Sequence, residues 1–130
     1  MNTVEKYSPL IGRILISVLF LMAGMSKISG YAGTQGYMES MGVSGSLLPL
    51  VILLEVGGAL AIIVGFKTRF TAFLLAGFTL LAAYFFHNNF DDQTQAIMFM
   101  KNIAITGGFF FLIANGAGAL SVDNWLARKK

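Results

Sequence analysis

Strongly apolar residues occur along this chain in four long blocks, at about positions 9–28, 47–66, 70–88 and 96–115. Each block has about 20 residues, the length at which a helix spans roughly 30 Å of hydrocarbon. The helices of a soluble bundle keep a polar face, whereas these blocks are apolar all round. The pattern therefore predicts an all-α fold, a bundle of four transmembrane helices in a single domain over residues 1–130.

The polar segments next to these blocks predict two shorter elements. Residues 28–46 are rich in Gly, Ser and Tyr, and Thr34 can cap a short helix over 35–41 that Gly42 would end. The tyrosines and methionines of this helix suit the outer membrane interface, so the segment is either a plain connector or a lid over the bundle. After the fourth block, Ser121 can cap an amphipathic C-terminal tail with terminal cations.

The basic residues indicate how the chain crosses the membrane. Lys6, Lys67, Arg69 and the cations of 128–130 all fall on one side of the predicted bundle. The two connections on the other side carry acids and no Lys or Arg. The positive-inside rule then places both termini in the cytoplasm. The net charge of +3 forms no basic face, so nucleic acid is not an expected partner, whereas the lipid bilayer is.

The scarcity of metal-binding side chains narrows the chemistry. The chain has no cysteine and one histidine, His87. Thiolate metal sites, iron–sulfur clusters and cysteine nucleophiles are therefore excluded, and no metal site is expected. His87 is the one side chain whose unperturbed pKa lies near neutrality, so it is a candidate for proton handling, although a hydrated or hydrogen-bonded histidine is the simpler interpretation.

One carboxylate, Glu55, interrupts the second block about 12 Å from its outer end. A charge in hydrocarbon is costly and normally faces a partner inside the bundle. Gly57 and Gly58 follow directly and would let a neighbouring helix approach closely. The second helix should therefore lie inside the bundle, with Glu55 facing a polar partner.

The fourth block carries the opposite charge at similar depth. Lys101 lies about 8 Å from the outer end of this block, and Gly107 and Gly108 follow it as a second small pair. The sequence therefore predicts an ion pair between Glu55 and Lys101, with both glycine pairs serving close helix contact.

Four further polar residues are expected around this pair or along the same helix faces. Asn102, His87 and Lys27 should lie near the outer mouth of the bundle. Arg13 shares a stripe with Lys27 on the first helix, because these positions recur at helical spacing. Arg13 lies about one turn inside the cytoplasmic end, where a long side chain can anchor in the interface, and a polar internal groove is the alternative.

The ion pair leaves two interpretations open. Buried ion pairs stabilise less than apolar packing, so a pair is retained either to specify assembly or to form a polar pocket for a ligand head group. In a pocket, Glu55 and His87 would exchange protons, while Lys101, Asn102 and Lys27 would bind the ligand.

The order of small and polar motifs across all four blocks resembles the DoxX family of small four-helix membrane proteins. The motifs are Gly24-x-x-Lys27, Glu55-x-Gly57-Gly58, Gly65, His87, Lys101-Asn102, Gly107-Gly108 and Gly116-x-Gly118-x-x-Ser121-x-Asp123. The resemblance covers essentially the whole chain and is closest to the YqjF-type branch of bacterial inner-membrane proteins. The family includes proteins similar to the membrane subunit of thiosulfate:quinone oxidoreductase. The resemblance implies a bacterial inner-membrane location and a redox role.

Together these observations predict a subunit of a membrane oxidoreductase system that binds a quinone as its candidate cofactor. No electron-transfer centre is evident in the sequence, so a redox partner subunit would supply electrons. The alternative is a non-enzymatic scaffold, in which the ion pair only specifies the bundle. A small-solute carrier is the third and weakest hypothesis, because few polar residues line a continuous path. A homo-oligomer remains open.

Overall fold

The computed structural model describes residues 2–129, and all regular structure in this range is helical. Four helices are long and apolar enough to cross a membrane. In order along the chain, the helices are α1 (Thr3–Ser29), α2 (Tyr31–Ser40), α3 (Gly45–Val64), α4 (Thr68–Phe86), α5 (Gln93–Asn115) and α6 (Val122–Lys129). The predicted four-span architecture, the short helix in the first connection and the C-terminal helical tail are confirmed.

The four long helices pack in chain order around one apolar core. Helix α1 runs along α3, α3 contacts α4, and α4 and α5 share the most extensive contact. The first and last of these helices also meet, because Phe20 of α1 packs against Phe109 of α5, with 5.4 Å between the centroids of the two phenyl rings. The core consists of these two rings and five smaller side chains from α3 and α4, namely Ala59, Ile62, Ala72, Leu75 and Ala76.

The first helix begins earlier than its apolar block suggests. Asn2 caps it, since Asn2 Oδ1 accepts from the Glu5 amide at 2.8 Å and Asn2 Nδ2 donates to Glu5 Oε1 at 3.1 Å. Pro9, at the start of the apolar block, therefore lies inside α1. The buried residues of α1 are Arg13, Ser17, Phe20 and Gly24, and they follow the helical stripe predicted for Arg13 and Lys27.

The short helix α2 also begins earlier than expected. It begins at Tyr31, and the hydroxyl of Thr34 donates to the carbonyl of Gly30 at 2.9 Å from within the first turn. The prediction that Thr34 caps the helix is therefore wrong. Gly42, with φ of 81°, follows the end of the helix as predicted, in a conformation that glycine adopts without strain.

Arg13 is a buried part of the structure rather than an interface anchor. Its side chain is 1% exposed, and Nη1 donates to the carbonyls of Ile62 and Ile63 at 3.2 Å each. Nη2 donates to the carbonyl of Leu120. The cation thus satisfies orphan carbonyls at the end of α3 and ties α1 to the C-terminal segment. The prediction that Arg13 anchors in the membrane interface is therefore wrong.

Asp123 completes this end of the molecule, which we call the basic end because it carries Arg13, Lys67 and Arg69. Its carboxylate accepts from the amides of Lys67 at 2.7 Å and Thr68 at 2.9 Å, so it caps α4 from 55 residues away. Burial opposes ionisation of Asp123, but the Thr68 and Lys67 amides and the Arg13 charge outweigh it, so the pKa of Asp123 lies below its usual range.

Candidate functional site

A cavity of about 320 Å³ lies between the helices at the end opposite the basic end. Its walls are mainly apolar and aromatic, which is typical of small-molecule sites. A few polar side chains from five helices interrupt the apolar lining. These polar residues are Lys27, Thr34, Glu55, Thr79, His87 and Asn102.

Glu55 reaches the cavity from an irregular turn of α3. Residues Leu53–Gly57 form a π-helical turn, which interrupts the α-helical part of α3. Single π-turns within α-helices are frequent at functional sites. The side chain of Glu55 is 4% exposed, so its carboxylate lies inside the bundle as predicted.

The partner of Glu55 is Lys27 and not Lys101. Lys27 Nζ lies 2.7 Å from Glu55 Oε1, and the Lys27 side chain is 28% exposed. Gly24 precedes Lys27 by one turn, and a Cβ at Gly24 would lie 2.5 Å from Val56 Cγ2. This close approach of α1 to α3 brings the ammonium to the carboxylate. The predicted Glu55–Lys101 ion pair is wrong.

The helical rotation of α5 explains the error. Lys101 is exposed and lines a separate surface groove, whereas the next residue, Asn102, lines the cavity. Successive helical residues differ by about 100° in direction, so matched depth does not ensure a shared face. Asn102 Nδ2 donates to the carbonyl of Thr79 at 3.3 Å, which joins α5 to α4 beside the cavity.

His87 lies at the end of α4 and lines the same cavity, half-buried. Its Nδ1 is 2.8 Å from Gln95 Oε1. An amide oxygen only accepts, so Nδ1 carries the proton and Nε2 of the neutral ring is an acceptor. Asp92 Oδ1 caps α5 by accepting from the Thr94 amide at 2.9 Å, so Gln95 in the first turn of α5 is available to bond His87.

Helix α2 covers this end of the cavity. Thr34, Tyr37 and Met38 line it, and Met38 is buried. The Tyr37 ring stacks on Phe86 of α4, with 5.5 Å between centroids and 25° between planes. The first connection is therefore positioned as a cover, and its opening as a lid stays a prediction. The sequence indicated that this segment is interfacial but not that it lines a cavity together with His87 and Asn102, because long-range packing positions α2.

The two glycine pairs do not serve close helix contact as whole pairs. A Cβ at Gly58 would lie 3.3 Å from Leu75, and one at Gly108 would lie 3.1 Å from Ile16 Cδ1. At Gly57 the nearest atom would be Leu53 Cδ1 at 3.8 Å, and Gly107 has nothing within 4 Å. The prediction holds for the buried or half-buried Gly58 and Gly108 and is wrong for the exposed Gly57 and Gly107.

The chain is similar to a known family of proteins. The DoxX family model matches residues 8–88. The chain belongs to the DoxX family. It is 56% identical over 129 residues to the inner membrane protein YqjF of Escherichia coli (strain K12), with 99% of each chain covered. It is 37% identical over 121 residues to the inner membrane protein YphA of the same organism, with 88% of this chain and 86% of YphA covered.

A third relative has a different description. This DoxX-family chain is 24% identical over 120 residues to the Bacillus subtilis (strain 168) protein named "Putative oxidoreductase CatD", with 87% of this chain and 89% of CatD covered. No solved structure matches. The family match, the four spans and the likeness to YqjF together describe an integral inner-membrane protein.

Proposed function

We propose that this DoxX-family protein binds a quinone or quinol head group in the α2-covered cavity and acts as a subunit of a membrane oxidoreductase system. The observation that carries the proposal is the cavity itself, in which apolar walls surround a few convergent polar groups around the Lys27–Glu55 ion pair. A volume of about 320 Å³ lies at the lower end of the range for ligand pockets and suits a single ring better than a large cofactor. The name of CatD as an oxidoreductase favours the same class.

The polar groups suit the two ends of a quinone. Lys27 and Asn102 are donors that can bind a carbonyl oxygen. Glu55 and His87 can exchange protons with the ring oxygens, and Gln95 holds His87 with Nε2 as acceptor. Reduction of a quinone to a quinol takes two electrons and two protons. The protons would pass through these side chains, and a partner protein would supply the electrons.

A titration of the purified protein in nanodiscs with a short-tailed quinone, and with its quinol, tests this proposal. A quinol hydroxyl donates to the Glu55 carboxylate, and hydrogen bonds to charged groups contribute about 1.5–3 kcal/mol, so Glu55→Gln should weaken quinol binding by about 10- to 100-fold. Asn102→Leu should also weaken it. Lys101→Gln is the matched control, because Lys101 is adjacent in sequence but lies outside the cavity. A wild-type protein that shows no saturable binding would rule the proposal out.

A non-enzymatic scaffold is the second candidate, and the location of the ion pair favours it. Lys27 and Glu55 join α1 to α3 where Gly24 permits close contact, as a pair that specifies assembly would do. Under this hypothesis Glu55→Gln lowers stability or alters helix packing, and neither wild type nor variant binds quinone. The same titration, combined with unfolding curves, therefore separates the two candidates.

A further inference from the structure

The outward face of α5 carries a charge at membrane depth. Lys101 lies eight residues after Gln93, the first residue of α5, or roughly 12 Å along the axis. Within residues 2–129, the ion pair that the structure contains joins Lys27 to Glu55, and Lys101 has no carboxylate partner. Charged residues in transmembrane helices normally face a bundle interior or a polar partner, so an exposed Lys101 calls for one.

A shallow groove adjoins Lys101 on the outward surface of α5. A groove of about 400 Å³ runs beside Lys101, and we call its lining the Lys101 face: Gln93, Ala96, Ile97, Met100, Lys101 and Ala104. One turn after Ala104, a Cβ at Gly107 would meet nothing within 4 Å. Small residues let a neighbouring backbone approach closely in lipid.

Helix α5 is also the least covered span. In its most apolar stretch 11% of residues are buried, against 22–28% in the other three spans. The bundle therefore leaves more of α5 open than of any other of these helices.

The positions of the acidic residues show whether a second copy of this chain could pair with Lys101. The chain has six acidic residues. Glu55 is buried and paired with Lys27, and the others lie at helix ends or in connections, at Glu5, Glu39, Asp91, Asp92 and Asp123. A second copy in the same orientation would place Lys101 against Lys101, with no carboxylate at that depth.

We propose that the Lys101 face docks a transmembrane helix of a different protein, one with an Asp or Glu at the depth of Lys101. The ammonium pairs with that carboxylate, and the small residues of α5 permit close backbone contact. This interface is separate from the cavity, because Asn102 faces the cavity while Lys101 faces outward.

Photocrosslinking in intact membranes tests the interface. A benzoylphenylalanine replaces Ala104 on the Lys101 face, and in a matched control it replaces Leu81, an exposed residue of α4. The expected result is a discrete adduct from position 104 and none from position 81. The adduct maps by mass spectrometry to an apolar segment of another protein that contains Asp or Glu.

Charge variants decide whether Lys101 holds this partner. Lys101→Gln should reduce the adduct by about tenfold, which corresponds to about 1.4 kcal/mol, whereas Lys101→Arg should retain it. Lys101→Glu combined with a Lys in place of the partner's acid should restore it. Four outcomes overturn the proposal: no adduct, an adduct with a second copy, a mapped segment without an acid, or an adduct unchanged in Lys101→Gln. The last is expected if Lys101 only snorkels to the interface.

Discussion

The close approach of α1 and α3 at Gly24 should determine whether the Lys27–Glu55 ion pair forms. In Gly24→Ala, the new Cβ would lie 2.5 Å from Val56 Cγ2, 3.2 Å from Glu55 Cβ and 3.3 Å from the Val56 amide nitrogen. The first contact is far inside van der Waals distance and involves a β-branched side chain with little freedom to rotate. The helices must therefore separate, which moves Lys27 away from Glu55.

The magnitude follows from comparison with a second glycine of the same helix. Alanine is favoured over glycine in a helix by about 1 kcal/mol, which applies equally at both positions. Gly12 has nothing within 4 Å of an added Cβ, so Gly12→Ala is the matched control. Overpacking costs about 1–3 kcal/mol, so Gly24→Ala should be less stable than Gly12→Ala by about that amount.

SDS-induced unfolding of the purified protein in mixed micelles measures this difference. Val56→Ala removes the closest contact, so a double-mutant cycle of Gly24→Ala with Val56→Ala should show a favourable coupling of about 1 kcal/mol or more. If Gly24→Ala and Gly12→Ala are equally stable, the close contact does not constrain the bundle, and the explanation for the Lys27–Glu55 geometry is refuted.

Two further predictions concern the basic end and the orientation of the chain. Because the folded pKa of Asp123 is lowered, its stabilisation is fully present above the ordinary aspartate pKa of about 4 and is lost as the pH falls through the lower folded value. Unfolding curves should thus show Asp123→Asn about 1 kcal/mol less stable than wild type at neutral pH, because asparagine keeps one of the two oxygens that accept from the Lys67 and Thr68 amides. The gap should close in acid, and a gap independent of pH would contradict this. The positive-inside rule predicts that a fluorescent reporter fused to the C-terminus is active in the cytoplasm and that alkaline phosphatase inserted at Asp91 is active in the periplasm, and the reverse pattern would contradict it.

The parts of the fold that follow from local sequence were predictable, and those that depend on helix rotation were not. Four apolar blocks of bilayer length specify four spans, and helical spacing alone identifies the buried stripe of α1. Depth along a helix can also be counted, which is why Glu55 and Lys101 looked like partners. The sequence does not show which side of each helix faces the interior. A change of one position, from Lys101 to Asn102, is enough to turn a side chain from the surface into the cavity.

Side-chain reach was the second source of error at the candidate site. Lys27 lies near the end of α1, where a long side chain usually extends toward the interface. Here it extends to Glu55 instead, since the missing side chain of Gly24 brings the two helices together. A sequence shows that Gly24 and Lys27 share a face, but the contact with α3 that gives this spacing its meaning is tertiary.

The two ends of the bundle differ in how they are held together, and this difference bears on function. At the basic end, Arg13 and Asp123 join α1, α3, α4 and the C-terminal segment by hydrogen bonds between charged side chains and the backbone. At the other end, α2 covers the cavity through the buried Met38, the Tyr37–Phe86 stack and one bond from Gln35 to the carbonyl of Gly45. Apolar contact with little hydrogen bonding opens at lower free energy than a charged network. A ligand would therefore enter past α2, while the basic end keeps the helices in register.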